Sequence, residues 1–239
     1  MANKPVLARV ALVDQVTAVL MERILDRAYA PGAKLNIDAL SREFEVSSSP
    51  IREALTRLDA LGLVASATFA GFSVASEPPR EWFEQLRDFR ILNEGWAARQ
   101  LARNRDERAI ARMRDSIRLM EADPPRGQAH DYVAAIRADE AFHEAILEAS
   151  GNEILAQAVR SLHPHLHHAR LFSRVPHDIA PTLDEHGAIL EAVLRGDESG
   201  AQEAVEAHLR TSWQRYRGWH SESPSSRQSI FERSGHRFA

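Results

Sequence analysis

Cysteine is absent from the 239 residues. That excludes disulfides and thiolate metal sites and fits an intracellular protein. Aromatic residues are scarce, at 7%, while Ala, Leu, Arg and Glu recur, a balance that leans towards helix. No apolar run approaches the roughly 18 residues of a membrane span. The first ten residues lack the long apolar core of a signal peptide. The expected location is therefore cytoplasmic, with no membrane partner. Nor does one sign of charge dominate: 30 Lys+Arg stand against 34 Asp+Glu, a net charge of -4. This argues against coating nucleic acid without sequence preference, yet leaves room for a reader whose few cations are placed.

What is present is ample apolar content, 44%, enough for a real core. Glu77-Pro78-Pro79 marks a boundary, because the prolines break any helix and the texture changes on either side. Three stretches follow: 8–76, 80–218, and a Ser-, Arg- and Gly-rich tail, 219–239, expected to be mobile.

In the first stretch, Val10, Val13, Val16, Leu20 and Ile24 recur at helical spacing from Ala8 to about Ala28, and Ala30-Pro31-Gly32 ends the run. Asn36 suits the N-cap of a short second helix through Phe44. Ser47-Ser48-Ser49-Pro50 then reads as the cap and first turn of a third, with Ile51, Ala54, Leu55, Leu58 and Leu61 as its apolar side. Beyond Gly62, two short apolar runs, Leu63 to Ala67 and Phe72 to Ala75, flank a link ending in Gly71, as a hairpin would. This is the outline of a winged helix-turn-helix. Six helical stretches fill the second part, at about 80–104, 106–122, 128–149, 153–174, 181–195 and 198–217. They are separated at 123–127, 150–152, 175–176 and 196–197, and such short connections imply antiparallel neighbours. The expected fold is mainly α: a winged helix-turn-helix followed by an antiparallel six-helix bundle.

A recognition helix needs one face docked on its own domain and an N-terminal end whose polar groups meet DNA. Ile51, Leu55 and Leu58 supply the face. Ser47, Ser48, Ser49 and Arg52 supply the end, the serines suiting phosphate and Arg52 suiting phosphate or a guanine edge. Arg57 either joins them or merely solvates the helix. Charge adds nothing, since residues 1–76 hold eight basic and eight acidic side chains. The pattern Ala30-Pro31-Gly32-Ala33-Lys34-Leu35, Leu40, Val46 through Leu58, Leu61-Gly62-Leu63-Val64 and Gly71 resembles the GntR family of bacterial transcription regulators. The resemblance implies a homodimer on a palindromic double-stranded operator, with the third helix in the major groove and the wing glycine, Gly71, at the minor groove. Ser48 and Asp38 stand where the family usually carries arginines. Both replacements remove charge-assisted contacts, leaving Lys34 and Arg42 as candidates to supply them.

Asp139 and His143 lie four apart, one turn along the same helix face. His186 precedes the turn at Asp197 by 11 residues and His208 follows it by 11. Equal offsets in an antiparallel pair mean equal heights, so the two imidazoles can meet. One aspartate and three histidines at one level of a bundle suit a divalent metal ion: zinc first, then nickel or manganese. His163 lies as far beyond Gly151 as Asp139 lies before it, 12 residues, and is expected to line the same pocket. Its neighbours His165, His167 and His168 are expected to point elsewhere, because residues one or two apart do not share a face.

Asp139-x-x-Phe142-His143, Ser150-Gly151-Asn152, His186, Ile189-Leu190, Ala192-Val193, Gly196-Asp197, Ala201, Ala204 and His208-Leu209 resemble the FCD ligand-sensing domain of the FadR subfamily. That resemblance implies a metal held at Asp139, His143, His186 and His208 in the metal-binding members. It also implies a small carboxylic acid effector that governs a metabolic operon, acting by release of a repressor from DNA. Arg90 matches an Arg-x-x-x-Glu pattern of the domain's first helix, either as the effector's carboxylate partner or as an ion pair with Glu94. Asn152 either caps the fourth bundle helix or contacts effector. The rival reading is a metal-dependent helical-bundle enzyme acting on a small carboxylate, with Glu140 or Glu144 activating water.

Overall fold

The computed structural model describes residues 6–67, 70–122, 131–172 and 178–216. The expected breaks at 123–127 and 175–176, most of the link before Gly71, and the tail 219–239 lie outside the described residues. The chain divides into two compact units, residues 1–77 and 78–239.

In the first unit, α1 (Val6–Leu25) packs on α3 (Ser48–Ala60), with α2 (Ile37–Glu43) beside α3. The expected stripe of α1 is buried at Val13, Val16, Leu20 and Ile24. Leu20, Ile51, Leu55 and Leu58 are wholly enclosed, each such side chain stabilising the fold by about 1.5–3 kcal/mol. The first helix ends three residues earlier than expected. Arg27 takes a left-handed φ of 61°, and Ala28 N–H donates back to Arg23 O at 2.9 Å, closing the helix before its proline. Asn36 caps α2, its Oδ1 accepting from Ala39 N–H at 2.9 Å. The wing strands β2 (Val64–Ala67) and β3 (Gly71–Val74) pair antiparallel, Val64 facing Val74 and Ala67 facing Gly71. A third strand, β1 (Lys34–Leu35), pairs with the other edge of β3. It is two residues long, too short to leave a period in the sequence.

In the second unit, α4 (Arg80–Asn104) lies along α10 (Glu198–Tyr216), α5 (Glu107–Ala122) against α6 (Asp131–Ala149), and α9 (Ala180–Arg195) beside α10. Gly95 permits the close approach of α4 to α10: a Cβ there would meet Glu206 Cγ at 3.1 Å. The core gathers Ala98, Leu101, Met113, Phe142, Ile146, Ile189, Val193 and Val205.

The bundle differs from expectation in one place. The helix expected over 153–174 is two helices, α7 (Glu153–Arg160) and α8 (Pro164–Phe172), so the described residues of this unit form seven helices. His163 sits at φ 44° between them. Pro164 explains the break, since a proline disfavours helical backbone in the residue before it and lacks the N–H a continuing helix needs. Among the described residues, no helix is long and apolar enough to cross a membrane.

Candidate metal centre and nucleic-acid interface

Three helices of the bundle converge on one point. Helix α6 brings Asp139 and His143, α9 brings His186, and α10 brings His208; one donor atom from each of the four lies within 4.8 Å of the others. His186 and His208, equally far from the turn at Asp197, stand with their rings 4.9 Å apart. All three histidines are buried, His186 completely, while Asp139 keeps 28% of its side chain exposed.

Each ring is aimed from behind. His143 Nδ1 meets Glu94 Oε2 at 2.7 Å, and His208 Nδ1 meets Glu185 Oε2 at 2.7 Å. His186 stacks face to face on Phe142, centroids 3.9 Å apart. Burial pushes the His143 imidazole down to about 3 against the pull of Glu94, and burial lowers His186 as well. The carboxylates go the other way. Burial alone would raise Glu94, but Arg90 and His143 hold it below the usual range. Burial would likewise raise Glu185, yet His208, Arg215 and Thr211 bring it to about 2. Burial would raise Asp139 too, but His165 and His186 hold it well below its ordinary value.

These protonation states decide the chemistry. An ionised carboxylate only accepts, so the nitrogen facing Glu94, and the one facing Glu185, must carry the proton. A neutral His143 then turns a bare Nε2 inward, 3.2 Å from His208 Nε2. Two such lone pairs repel unless a proton or a cation sits between them. Among the described residues His186 Nδ1 is enclosed without a hydrogen bond, and its Nε2 faces Asp139 Oδ1 at 3.3 Å. Metal–nitrogen bonds of about 2.0–2.1 Å at tetrahedral angles place two ligands roughly 3.3 Å apart. Three imidazole nitrogens and a carboxylate, all within 4.8 Å of one another, therefore fit a divalent ion in donor type, and the two shortest pairs match its spacing. Carboxylate backing of ligand imidazoles is the usual support for such a site.

In the first unit, Ser47, Ser48, Ser49 and Arg52 are all exposed at the N-terminal end of α3. Ser47 caps the helix through its backbone, its hydroxyl making no cap bond. Arg57 is engaged, with Asp14 at 2.6 Å and Glu53 at 3.0 Å; Arg23 pairs with Glu43 and Arg27 with Glu77. Lys34, Arg42 and Arg52 are exposed and form no ion pair among the described residues. Gly71 opens β3 at φ 77°, with nothing among the described residues within 4 Å of the point a Cβ would occupy, a backbone conformation that suits glycine.

Residues 85–211 match the FCD domain, and residues 12–74 match the family described as bacterial regulatory proteins, gntR family. The chain belongs to the GntR family. Among relatives of this GntR chain, the HTH-type transcriptional regulator LutR of Bacillus subtilis (strain 168) is 32% identical, over 75% of this chain and 89% of LutR. A protein of Escherichia coli (strain K12), provisionally named an L-lactate dehydrogenase operon regulatory protein, is 28% identical over 82% of this chain and 81% of its own. The solved structure of E. coli McbR/YncC shares the fold, with a TM-score of 0.62 at 19% identity, covering 86% of this chain and 98% of that one. The GntR chain is thus a DNA-binding transcriptional regulator of FadR type, and the enzyme reading falls away with its family.

Arg90 is buried and its guanidinium grips Glu94 through Nε and, at 3.2 Å, Nη2, the ion-pair alternative. Asn152 caps α7, its Oδ1 accepting from Leu155 N–H at 3.1 Å. His163 occupies the turn between α7 and α8, and the histidine that reaches Asp139 is His165, Nδ1 to Oδ2 at 2.8 Å. The expectation that His165 points elsewhere is therefore corrected: it assumed one continuous helix, and the restart at Pro164 rotates the face. Glu94, Glu185 and His165 were missed as members of the site. A signal for Glu94 existed. Phe83, Leu86, Arg90, Glu94, Ala97 and Leu101 share the buried side of α4, so two charges stand where the apolar stripe runs.

Proposed function

We propose that this regulator senses a small carboxylic acid at a divalent metal ion, zinc first, held by Asp139, His143, His186 and His208, and that it binds a palindromic operator as a homodimer. The observation that carries the sensing half is the inward pair of Nε2 atoms of His143 and His208, 3.2 Å apart, each ring backed at Nδ1 by a carboxylate, Glu94 and Glu185. A bound divalent ion supplies an open coordination position for an anion. The residues set the charge of that position. Glu94 is offset by Arg90 and Glu185 by Arg215, so two positive charges against one from Asp139 leave one positive charge, the complement of a monocarboxylate. The E. coli relative carries an L-lactate dehydrogenase operon in its name, which makes L-lactate the first acid to try and a metabolic operon the expected target.

For the operator, Ser47, Ser48, Ser49 and Arg52 offer hydroxyls, a helix N-terminus and a cation to the major groove, with Gly71 at the minor groove. Lys34 and Arg42 stand in for the cations missing at Ser48 and Asp38. Leu92, 75% exposed, and Trp96, 40% exposed, lie one turn apart on α4, an apolar face that a second copy would cover. Residues 8–76 then serve as the reader and 80–218 as sensor and dimer contact, working in the cytoplasm where the DNA is. Selection of bound DNA from a random pool by zinc-loaded protein should recover a palindrome; no enrichment would overturn the operator reading. L-lactate and related acids should release the selected DNA in a gel shift with zinc-loaded but not metal-stripped protein. Release that ignores the metal would overturn the sensing reading.

A further inference from the structure

The two carboxylates behind the centre are themselves held, and in matching fashion. On one side runs Arg90, Glu94, His143. On the other, Arg215 near the end of α10 donates from Nη1 to Glu185 Oε1 at 2.6 Å and from Nη2 to Glu185 Oε2 at 2.9 Å. Glu185 Oε2 in turn takes the Nδ1 proton of His208 at 2.7 Å. Thr211 Oγ1 adds a bond to Glu185 Oε1 at 2.8 Å, and Thr182 Oγ1 accepts from Arg215 Nη2 at 3.3 Å. His208, Thr211 and Arg215 succeed one another at helical spacing on one face of α10, and Thr182 and Glu185 share a face of α9. The geometry is a two-pronged guanidinium–carboxylate fork, which fixes the plane of the carboxylate as well as its charge.

We propose that Arg215 is a positioning residue of the metal centre: by clamping Glu185 it holds His208 in the tautomer whose bare Nε2 faces inward. The inference rests on the metal reading above. It goes beyond that reading by placing a determinant of metal affinity seven residues past the last ligand, near the end of the final described helix. Without the fork, Glu185 keeps only Thr211 and His208 and is free to turn. His208 then exchanges its proton between ring nitrogens, and the form with a proton on Nε2 offers the metal nothing. Partners of this kind change metal affinity by about 10- to 100-fold when removed. A purely electrostatic role would act with the opposite sign, since loss of a nearby positive charge favours a cation.

The test uses the full chain and two readouts. Long-range nitrogen–proton NMR on metal-free protein, with His208→Gln for assignment, reports the tautomer of each buried histidine directly. Cobalt titration against a competing chelator reports affinity. Wild type should show Nδ1 protonated on both His143 and His208, with any further proton shared between their two Nε2 atoms, 3.2 Å apart. In Arg215→Gln, His208 should become a tautomer mixture while His143 is unchanged, and cobalt affinity should fall roughly tenfold or more. Arg215→Lys, which keeps charge without the fork, should recover only part. An Arg215→Gln protein with His208 still wholly Nδ1-protonated, or with cobalt affinity equal to or above wild type, overturns the proposal. A wild type that takes no cobalt removes the metal reading and this inference with it, whereas a wild type that binds cobalt beside an unaffected variant removes the inference alone.

Discussion

Glu94→Gln tests the centre and the fold together, because one carboxylate serves two buried donors. Its Oε1 meets Arg90 Nε, and its Oε2 meets both Arg90 Nη2 and His143 Nδ1. The side chains of Arg90 and Glu94 are 4% and 0% exposed, so water does not screen what is lost. A glutamine has one oxygen and one amino group, and either orientation turns N–H against N–H. Breaking such a buried pair costs about 3–5 kcal/mol, which in a domain of this size lowers the melting temperature by roughly 6–20 °C. If the amino group faces His143, the ring must accept there and its proton moves to Nε2, closing the donor to metal. Urea unfolding of metal-free protein should show the stability loss, and cobalt titration a fall of about 10- to 100-fold. The double variant Arg90→Met/Glu94→Gln removes the stranded guanidinium and should regain most of the stability without restoring metal affinity. A Glu94→Gln protein within about 1 kcal/mol of wild type would show that Glu94 is not the buried partner of Arg90, since a buried unpaired guanidinium costs more than that.

Arg52→Ala should weaken operator binding and reduce the slope of log affinity against log salt by about one. Arg57→Ala, whose guanidinium is committed to Asp14 and Glu53, should leave both nearly unchanged; a loss equal to that of Arg52→Ala would contradict the assignment. Stripping the metal with a chelator should lower the melting temperature, the bound ion contributing about 2.7 kcal/mol when free metal stands at a hundred times its dissociation constant. An identical melting curve before and after zinc is restored would count against the site. At Gly95, an added methyl meets Glu206 Cγ at 3.1 Å, tight against a side chain that can shift. Gly95→Ala should therefore nearly break even against its helix gain of about 0.8–1.0 kcal/mol, whereas Gly95→Leu should cost about 1–3 kcal/mol in denaturant unfolding. A neutral leucine would mean that α4 and α10 do not approach closely there.

Much of the fold was legible because it rests on local rules. The stripe on α1, the Asn36 cap, the serine-tipped third helix and the hairpin ending at Gly71 each announce themselves within one window of sequence. What escaped was either too short or read against the wrong competitor. β1 exists because Lys34 and Leu35 face Ser73 and Phe72 across the chain, a relation no local period encodes. The break at His163 was in fact local. Equal distance from Gly151 points to the ring of His163, while the decisive residue is Pro164, which forces its predecessor out of the helix.

The ligand set and its supports differ in legibility for a physical reason. Asp139 joins His143 by helix period, one turn along a face, and His186 joins His208 by equal distance from a turn, so spacing alone forms each pair, while the bundle brings the two pairs together. Glu94 and Glu185 are two of 34 acidic residues; Glu94 has no helical spacing to any of the histidines, and Glu185, though next to His186, backs His208 on another helix. Glu94 is set apart by burial and Glu185, half-buried, by its bond to His208, and both are properties of the whole bundle. Yet burial leaves one trace in sequence: a charge at a position where the helix period demands an apolar side chain. Arg90 and Glu94 both show it within the stripe of α4, and being four apart they neutralise each other on the way in. Arg215 shows no such trace, since its partner lies on another helix. A charged pair inside an apolar stripe is therefore readable as the back of a site when both partners share a helix, and becomes visible only in the folded structure when they do not.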